Sequence, residues 1–235
     1  GNRAMSSSSG SADALEALGV KIDLGPDGVQ KCLEQVGIGF MFAQAFHPAM
    51  KYAGPLRPQI GIRTVFNLLG PLTNPAGAQH QVIGMGDPSA AEKVAQALSI
   101  LGTTGALAVY AEDGMDEISP EGRSHVFQIT DGQVSERTVE ASDFGLPAQK
   151  RSDLTANTVE ESIGLIRGVL EGKNSSNVEQ AARTVVVMNT AAALVAVGQA
   201  DTLQQGAEQA AESIESGRAL AKLEALAALS QELDG

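Results

Sequence analysis

Four groups of residues in this sequence have types and spacings that suit chemistry. The first opens the chain: Gly1-Asn2-Arg3-Ala4-Met5-Ser6-Ser7-Ser8-Ser9-Gly10-Ser11-Ala12 runs directly into a short helix pattern, Asp13 to Leu18. Backbone N–H groups in such a loop, free hydroxyls and a following helix start make an anion site. The same composition also suits a flexible Gly/Ser leader. The second group is Phe46-His47-Pro48-Ala49-Met50-Lys51, where one histidine precedes proline at a helix start. That histidine reads either as a ligand or as a packing residue. The third spans Arg57 to Pro75, with arginines at 57 and 63, the apolar run Val65 to Leu69, and Gly70-Pro71 and Asn74-Pro75 turns. An arginine there suits a bidentate carboxylate clamp beside a flat slot, or simply a surface loop. The fourth, Glu112-Asp113-Gly114-Met115-Asp116-Glu117, directly follows the apolar run Gly105 to Tyr110. Adjacent carboxylates at the end of a parallel strand suit Mg²⁺, a hard cation that keeps waters and bridges to phosphates. An acidic turn in solvent has the same composition.

These groups need elements to hold them. Pro26 to Val36 predicts a helix with proline in its first turn and Gly37 as its stop. Ile38 to Ala43 reads as a strand buried on both faces, and His47 to Tyr52 and Thr64 to Leu69 as helices. Gln81 to Met85, Pro88 to Leu101 and Gly105 to Tyr110 form a strand–helix–strand series, which implies parallel pairing. His125 to Thr130 and Gln133 to Val139 alternate in polarity around Asp131-Gly132, a strong hairpin signal. Thr158 to Leu170, Val178 to Val197, Thr202 to Ser216 and Gly217 to Leu229 carry helical periodicity rich in alanine, and are expected to cover the sheet. The fold class expected is α/β, a mixed, mostly parallel sheet flanked by helices in one domain over residues 1–235.

Composition narrows the partners. The net charge of −12 sets a field that repels nucleic-acid phosphate and anionic membrane, so neither is expected as a partner. Positive charge for a phosphorylated metabolite must therefore be local or come from metal ions. No apolar run of about 18 residues appears, which excludes a membrane-spanning helix pattern. Cys32 is the single cysteine, so no intrachain disulfide forms and a reducing, cytoplasmic setting is expected. Its place in an apolar helix face suits a small core residue better than a nucleophile.

Taken together, GNRAMSSSSGSADALEALG, FHPAMK, R-x5-RTVFNLLGPLTNP, DGMDEIS and VVMNTAAAL resemble the anthranilate phosphoribosyltransferases, the second-step enzymes of tryptophan biosynthesis. The resemblance spans essentially the whole chain in order, and GPLTNP is its most specific block. It implies a fold like that of the nucleoside phosphorylases and transfer of the phosphoribosyl group of 5-phosphoribosyl 1-diphosphate (PRPP) to the amine of anthranilate. Diphosphate is released, and Mg²⁺ is the implied cofactor. Residue by residue, it implies that Gly1, Asn2, Arg3, Ala4, Met5, Ser6, Ser7 and Ser11 contact PRPP. Asn2, His47, Arg57, Gly70 and Pro71 match the anthranilate contacts, with Arg57 at the carboxylate. Asp116 and Glu117 match the metal-binding pair.

Members of that family carry, ahead of the position of Gly1, a Lys-His pair, a GTGGD-like loop, an Asn-Ser-Thr segment and a small helical domain through which they form homodimers. None of these is in the 235 residues. The chain is therefore expected to be a C-terminal segment with little activity alone. Two other readings stay open: a pyrimidine nucleoside phosphorylase-like enzyme, although its lysine motif is missing from Arg63 to Pro75, and a non-catalytic binding homologue of the same fold.

Overall fold

The computed structural model describes residues 1–3, 10–48 and 66–233, apart from the side chains of Phe66 and Asn67. In chain order the helices and strands are α1 (Ser11–Ala17), α2 (Pro26–Val36), α3 (Ala43–Phe46), α4 (Phe66–Leu72), β1 (His80–Gly84), α5 (Pro88–Ile100), β2 (Gly105–Ala111), β3 (Ser124–Thr130), β4 (Gln133–Val139), α6 (Val159–Leu170), α7 (Asn177–Ala196), α8 (Leu203–Glu215) and α9 (Arg218–Glu232). Contacts gather these into two compact units. One comprises Gly1–Arg63, Ala156–Gly172 and Ile214–Gly235, the other Thr64–Thr155 and Lys173–Ser213.

The sheet lies in the second unit, in the order β1-β2-β3-β4. β1 pairs parallel with β2, and β2–β3 and β3–β4 are antiparallel. The class is α/β with a mixed sheet, as expected. Among the described residues its parallel share is smaller than expected, because the hairpin contributes two of the three pairings. Thr130 faces Gln133 across a two-residue turn in which Asp131 and Gly132 have φ of 49° and 76°. Positive φ at both positions gives the right-handed twist that two-residue hairpins need.

Strand β2 alternates between two cores. Ala106 and Ala108 face α5, whose Ala91, Ala95 and Leu98 are fully buried against them with Phe127 and Ile129. Small residues on both sides let helix and sheet approach closely. Leu107 and Val109, on the opposite face, are also fully buried. Helix α7 contacts β1 and β2 and adds buried Val187, Met188, Ala191 and Ala192. A Cβ at Gly105 would overlap the carbonyl oxygen of Ala196, so the helix end approaches the strand start at backbone distance. Gly206 of α8 also lies close to Ala191, where a Cβ would stand 2.9 Å from its Cα.

The first unit is helical in its described residues. Val20, Leu24, Val29, Cys32 and Val36 bury against Leu226 of α9, and Cys32 is the small core residue expected. Ser230, fully buried on α9, accepts the Lys21 N–H at 2.9 Å and donates to the Ala227 carbonyl at 3.0 Å. The Lys222 ammonium caps the carbonyl of Val36 at the end of α2. Here the expectation that all four C-terminal helices cover the sheet is corrected. α7 does so, whereas α6 and α9 contact each other and pack with α1 and α2. The alanine-rich periodicity that marks each of them as a helix does not say which partner it faces.

The expected strand Ile38 to Ala43 is corrected too. Residues 38–42 have no regular structure, Ile38 is 48% exposed, and Ala43 opens α3. Among the described residues the bonds of a ladder reach this stretch only from Gly1, whose amino group donates to Met41 O at 2.8 Å and whose carbonyl accepts from Ala43 N at 2.9 Å. Two bonds to one residue pin the stretch without making a strand. Of the helix expected over His47 to Tyr52, His47 ends α3 and Pro48 lies in a turn, while 49–52 lie outside the described residues. Gly70-Pro71, read as a turn, falls inside the end of α4.

Candidate functional site

The two acidic residues at 116 and 117 follow from how β2 ends. Ala111 closes the strand, Gly114 takes φ 88°, and the chain turns back so that Ala111 N donates to Met115 O at 2.9 Å. Asp113 holds this turn rather than facing a ligand: its carboxylate accepts from Met115 N at 3.1 Å and from the Ser119 hydroxyl at 2.6 Å. Arg151 adds a bond to the Asp113 carbonyl. Ser119, fully buried, also donates its N–H to the Ser124 hydroxyl oxygen at 2.9 Å. A closed polar network of this kind rigidifies the loop it lies in.

Beyond the turn the chain crosses the carboxyl end of β1. Gly84, the last residue of that strand, lies so close to Asp116 that a Cβ would overlap the Asp116 carbonyl oxygen and stand 2.8 Å from its carbonyl carbon. The backbone of Asp116 is thus seated on a glycine that any side chain would displace. On the other side, Asn189 of α7 accepts from Ile118 N at 3.0 Å and donates to Ile118 O at 3.1 Å. Val82, Gly84, Val109, Asp116, Glu117 and Asn189 line a cleft of about 600 Å³. Its walls are largely apolar, and the carboxylates are its charged groups.

Neither carboxylate has a hydrogen-bonding or ion-pair partner among the described residues. Crowding by the surrounding protein, and secondarily the Asp116 charge, push the Glu117 carboxyl above the ordinary carboxylate range. The pair therefore carries negative charge that the protein does not neutralise. No group of three or more His, Cys, Asp or Glu side chains suited to a metal occurs among the described residues. Two carboxylates alone suit a hard cation that takes its remaining ligands from water and phosphate.

The opening segment lies in the first unit. Ser11 accepts from Asn2 N and donates to Asn2 O, each at 3.3 Å, and Ala12 N donates to Asn2 O at 3.1 Å. Gly1 is also closely packed, since a Cβ there would overlap the ring of Phe40, although a ring can move where the backbone beside Gly84 cannot. The Asn2 side chain turns back to accept from Arg3 N at 2.9 Å. The Arg3 guanidinium is engaged by two carboxylates, Asp13 at 2.9 Å and Glu16 in a two-toothed pair at 2.8 and 3.1 Å, above the ring of Phe42. These bonds hold the Glu16 carboxyl below its usual range and raise the arginine further.

His47 is half-buried where α3 ends, Gly70 is exposed and Pro71 half-buried on α4. Ala4, Met5, Ser6, Ser7 and Arg57 lie outside the described residues. Within one unit the structure brings together Gly1, Asn2, Arg3 and Ser11; within the other, Asp116 and Glu117. Reading from sequence missed Gly84, Asn189 and Ser119. An isolated glycine in a strand is the signal for Gly84. Asn189, a polar residue inside an apolar helical run, is a weaker one.

The mixed sheet with an acidic pair over the carboxyl end of a parallel strand defines an α/β protein whose ligand edge carries exposed negative charge. A model of the glycosyl transferase family, a/b domain, matches residues 1–220. The anthranilate phosphoribosyltransferase of Roseiflexus sp. (strain RS-1) is 50% identical over 236 residues, covering 100% of this chain and 68% of that protein. Among solved structures, anthranilate phosphoribosyltransferase from Thermus thermophilus superimposes with a TM-score of 0.90 at 38% identity, covering 98% of this chain and 67% of the other. That from Saccharomyces cerevisiae, in complex with PRPP and Mg, gives 0.89 at 28% identity, covering 99% and 64%. The chain belongs to the anthranilate phosphoribosyltransferase family, and spans about two thirds of the length of these relatives.

Proposed function

We propose that this chain carries the substrate-binding residues for transfer of the 5-phosphoribosyl group of PRPP to the amino group of anthranilate, within tryptophan biosynthesis. The observation that carries this reading is the unneutralised Asp116–Glu117 pair, seated by Gly84 at the strand end. Family membership at about half identity supports it, and favours neither a nucleoside phosphorylase nor a non-catalytic homologue.

Breaking the bond between C1 and the diphosphate leaves positive charge on the ribose ring and negative charge on the leaving group. Asp116 and Glu117 would hold Mg²⁺, whose chemistry is to neutralise the developing charge on diphosphate. The chain's own residues bind and orient. Gly1, Asn2, Arg3, Ser11 and the residues Ala4, Met5, Ser6 and Ser7 form the PRPP segment in this reading. The Arg3 guanidinium, already paired with Asp13 and Glu16, shapes the segment and exchanges one carboxylate for phosphate when PRPP binds. Asn2 and Arg57 hold anthranilate, Arg57 by its carboxylate, with His47, Gly70 and Pro71 lining the approach. The lone pair of the aromatic amine forms the N–C1 bond as the C1–O bond to diphosphate breaks. The acidic anilinium proton then passes to water, so positioning and electrostatics supply the rate without a strong base.

Calorimetry with anthranilate and, separately, with PRPP and Mg²⁺, on the chain and on Arg57→Ala, tests the carboxylate clamp. The variant weakens anthranilate far more than PRPP; equal weakening of both contradicts the assignment.

A further inference from the structure

We propose that Asn189 is a positioning residue for the Asp116–Glu117 pair, an inference that rests on the reading of that pair as the Mg²⁺ holder. Ile118, the residue directly after Glu117, is fully buried. Its backbone N–H and C=O must therefore find partners within the protein. Among the described residues, the side chain of Asn189 supplies both, accepting at 3.0 Å and donating at 3.1 Å. Its second amide hydrogen goes to the Val185 carbonyl one turn back on α7, at 2.9 Å. An asparagine amide is matched to this task because it presents an acceptor and a donor side by side, as a peptide does.

The consequence is geometric. Asp116 is fixed from one side by contact with Gly84, and Ile118 from the other by Asn189. Glu117 lies between two anchored residues, so the backbone from which both carboxylates project is held in place. This matters because their charges repel, and nothing else among the described residues opposes that repulsion by pairing with either of them. Residue 189 also lines the cleft, one position from Thr190 and a turn from Val186 on the same helix. A residue serving only to pack α7 against the sheet would not need to bond both sides of one peptide residue on a different segment; Met188, Ala191 and Ala192 already fill that role.

The test uses the ¹⁵N-labelled 235-residue chain and Mn²⁺, a paramagnetic stand-in for Mg²⁺. Bound at the pair, Mn²⁺ broadens the amide signals of Ile118 and Gly84, and excess Mg²⁺ restores them. Asn189→Ala removes the clamp, and the milder Asn189→Ser keeps a hydroxyl able to bond Val185 while falling short of Ile118. In either variant that retains a dispersed spectrum, half-broadening needs about tenfold more Mn²⁺, the usual size of an outer-shell effect on metal affinity. Leu98→Ala, in the core on the opposite face of the sheet, lowers stability but leaves the Mn²⁺ dependence as it was. Asp116→Asn with Glu117→Gln abolishes the broadening. Mn²⁺ dependence within twofold of the unaltered chain in Asn189→Ala and Asn189→Ser overturns the positioning role while the metal pair stands. A shift of the same size in Leu98→Ala overturns it as well, because the effect would then be one of stability. Absence of selective broadening in the unaltered chain overturns the metal reading and this inference with it.

Discussion

Arg3 in one unit and the Asp116–Glu117 pair in the other are treated in opposite ways. Arg3, in the first unit, has its guanidinium bonded to Asp13 and Glu16 at 2.8 to 3.1 Å. Asp116 and Glu117, in the second, are anchored entirely through backbone neighbours and have no side-chain partner among the described residues. One region neutralises its charge internally; the other holds charge in place and leaves it for something else to neutralise. A fold keeps uncompensated like charges together only if the backbone is over-determined there, and the fitted glycine and the asparagine clamp supply that here. The same contrast appears within the second unit. Burial and Asp116 raise the Glu117 carboxyl, whereas bonds from the hydroxyl and N–H of Ser175 and the N–H of Ser176 bring Glu179, at the start of α7, down to about 2.

The largest expected effect breaks the anchored region. Gly84→Ala places a methyl group into the Asp116 backbone, and overpacking of this kind destabilises by about 2–3 kcal/mol. Urea denaturation measures it, and a midpoint equal to that of the unaltered chain would mean that Asp116 does not sit on Gly84. A smaller effect sharpens the other side of the comparison. Glu16→Gln removes the two-toothed partner of Arg3 and leaves Asp13, so inorganic diphosphate should bind a few-fold more tightly. Unchanged affinity in a calorimetric titration would show that the guanidinium is not held back by its carboxylates.

The smallest effect concerns Glu179. Its folded value lies below the ordinary carboxylate range, so the stability it contributes is present above about pH 4.5 and is lost as pH falls toward about 2. Glu179→Gln should therefore be less stable than the unaltered chain at pH 6, with the difference shrinking steadily down to pH 2. Thermal melts across that range follow it, and a difference that stays constant would contradict the bonding described for the helix start.

Much of the sheet was legible because its signals are local. Asp131-Gly132 specifies its own turn, and the strand–helix–strand series from β1 to β2 appears within a residue or two of its expected bounds. The acidic pair was visible in sequence only as one of two readings, because an acidic turn in solvent has the same composition; its seat on Gly84 was not. What escaped depends on contacts distant in sequence. Ile38 to Ala43 has the composition of a buried strand but meets a ladder partner only at Gly1. Helices α6 and α9 look like α7 in sequence yet face α1 and α2. Asn189 and Ile118 are 71 residues apart, and no spacing rule connects an asparagine in a helix to a loop that far away.

In the proposed reading Asp116 and Glu117 hold the cation through which PRPP is bound. Isothermal titration of the chain with PRPP, in Mg²⁺ and again in EDTA, repeated on Asp116→Asn with Glu117→Gln, tests it most directly. Mg²⁺-dependent binding is expected in the unaltered chain, and its loss in the double variant with the fold intact. PRPP bound equally well in EDTA, or by the double variant in Mg²⁺, would contradict it.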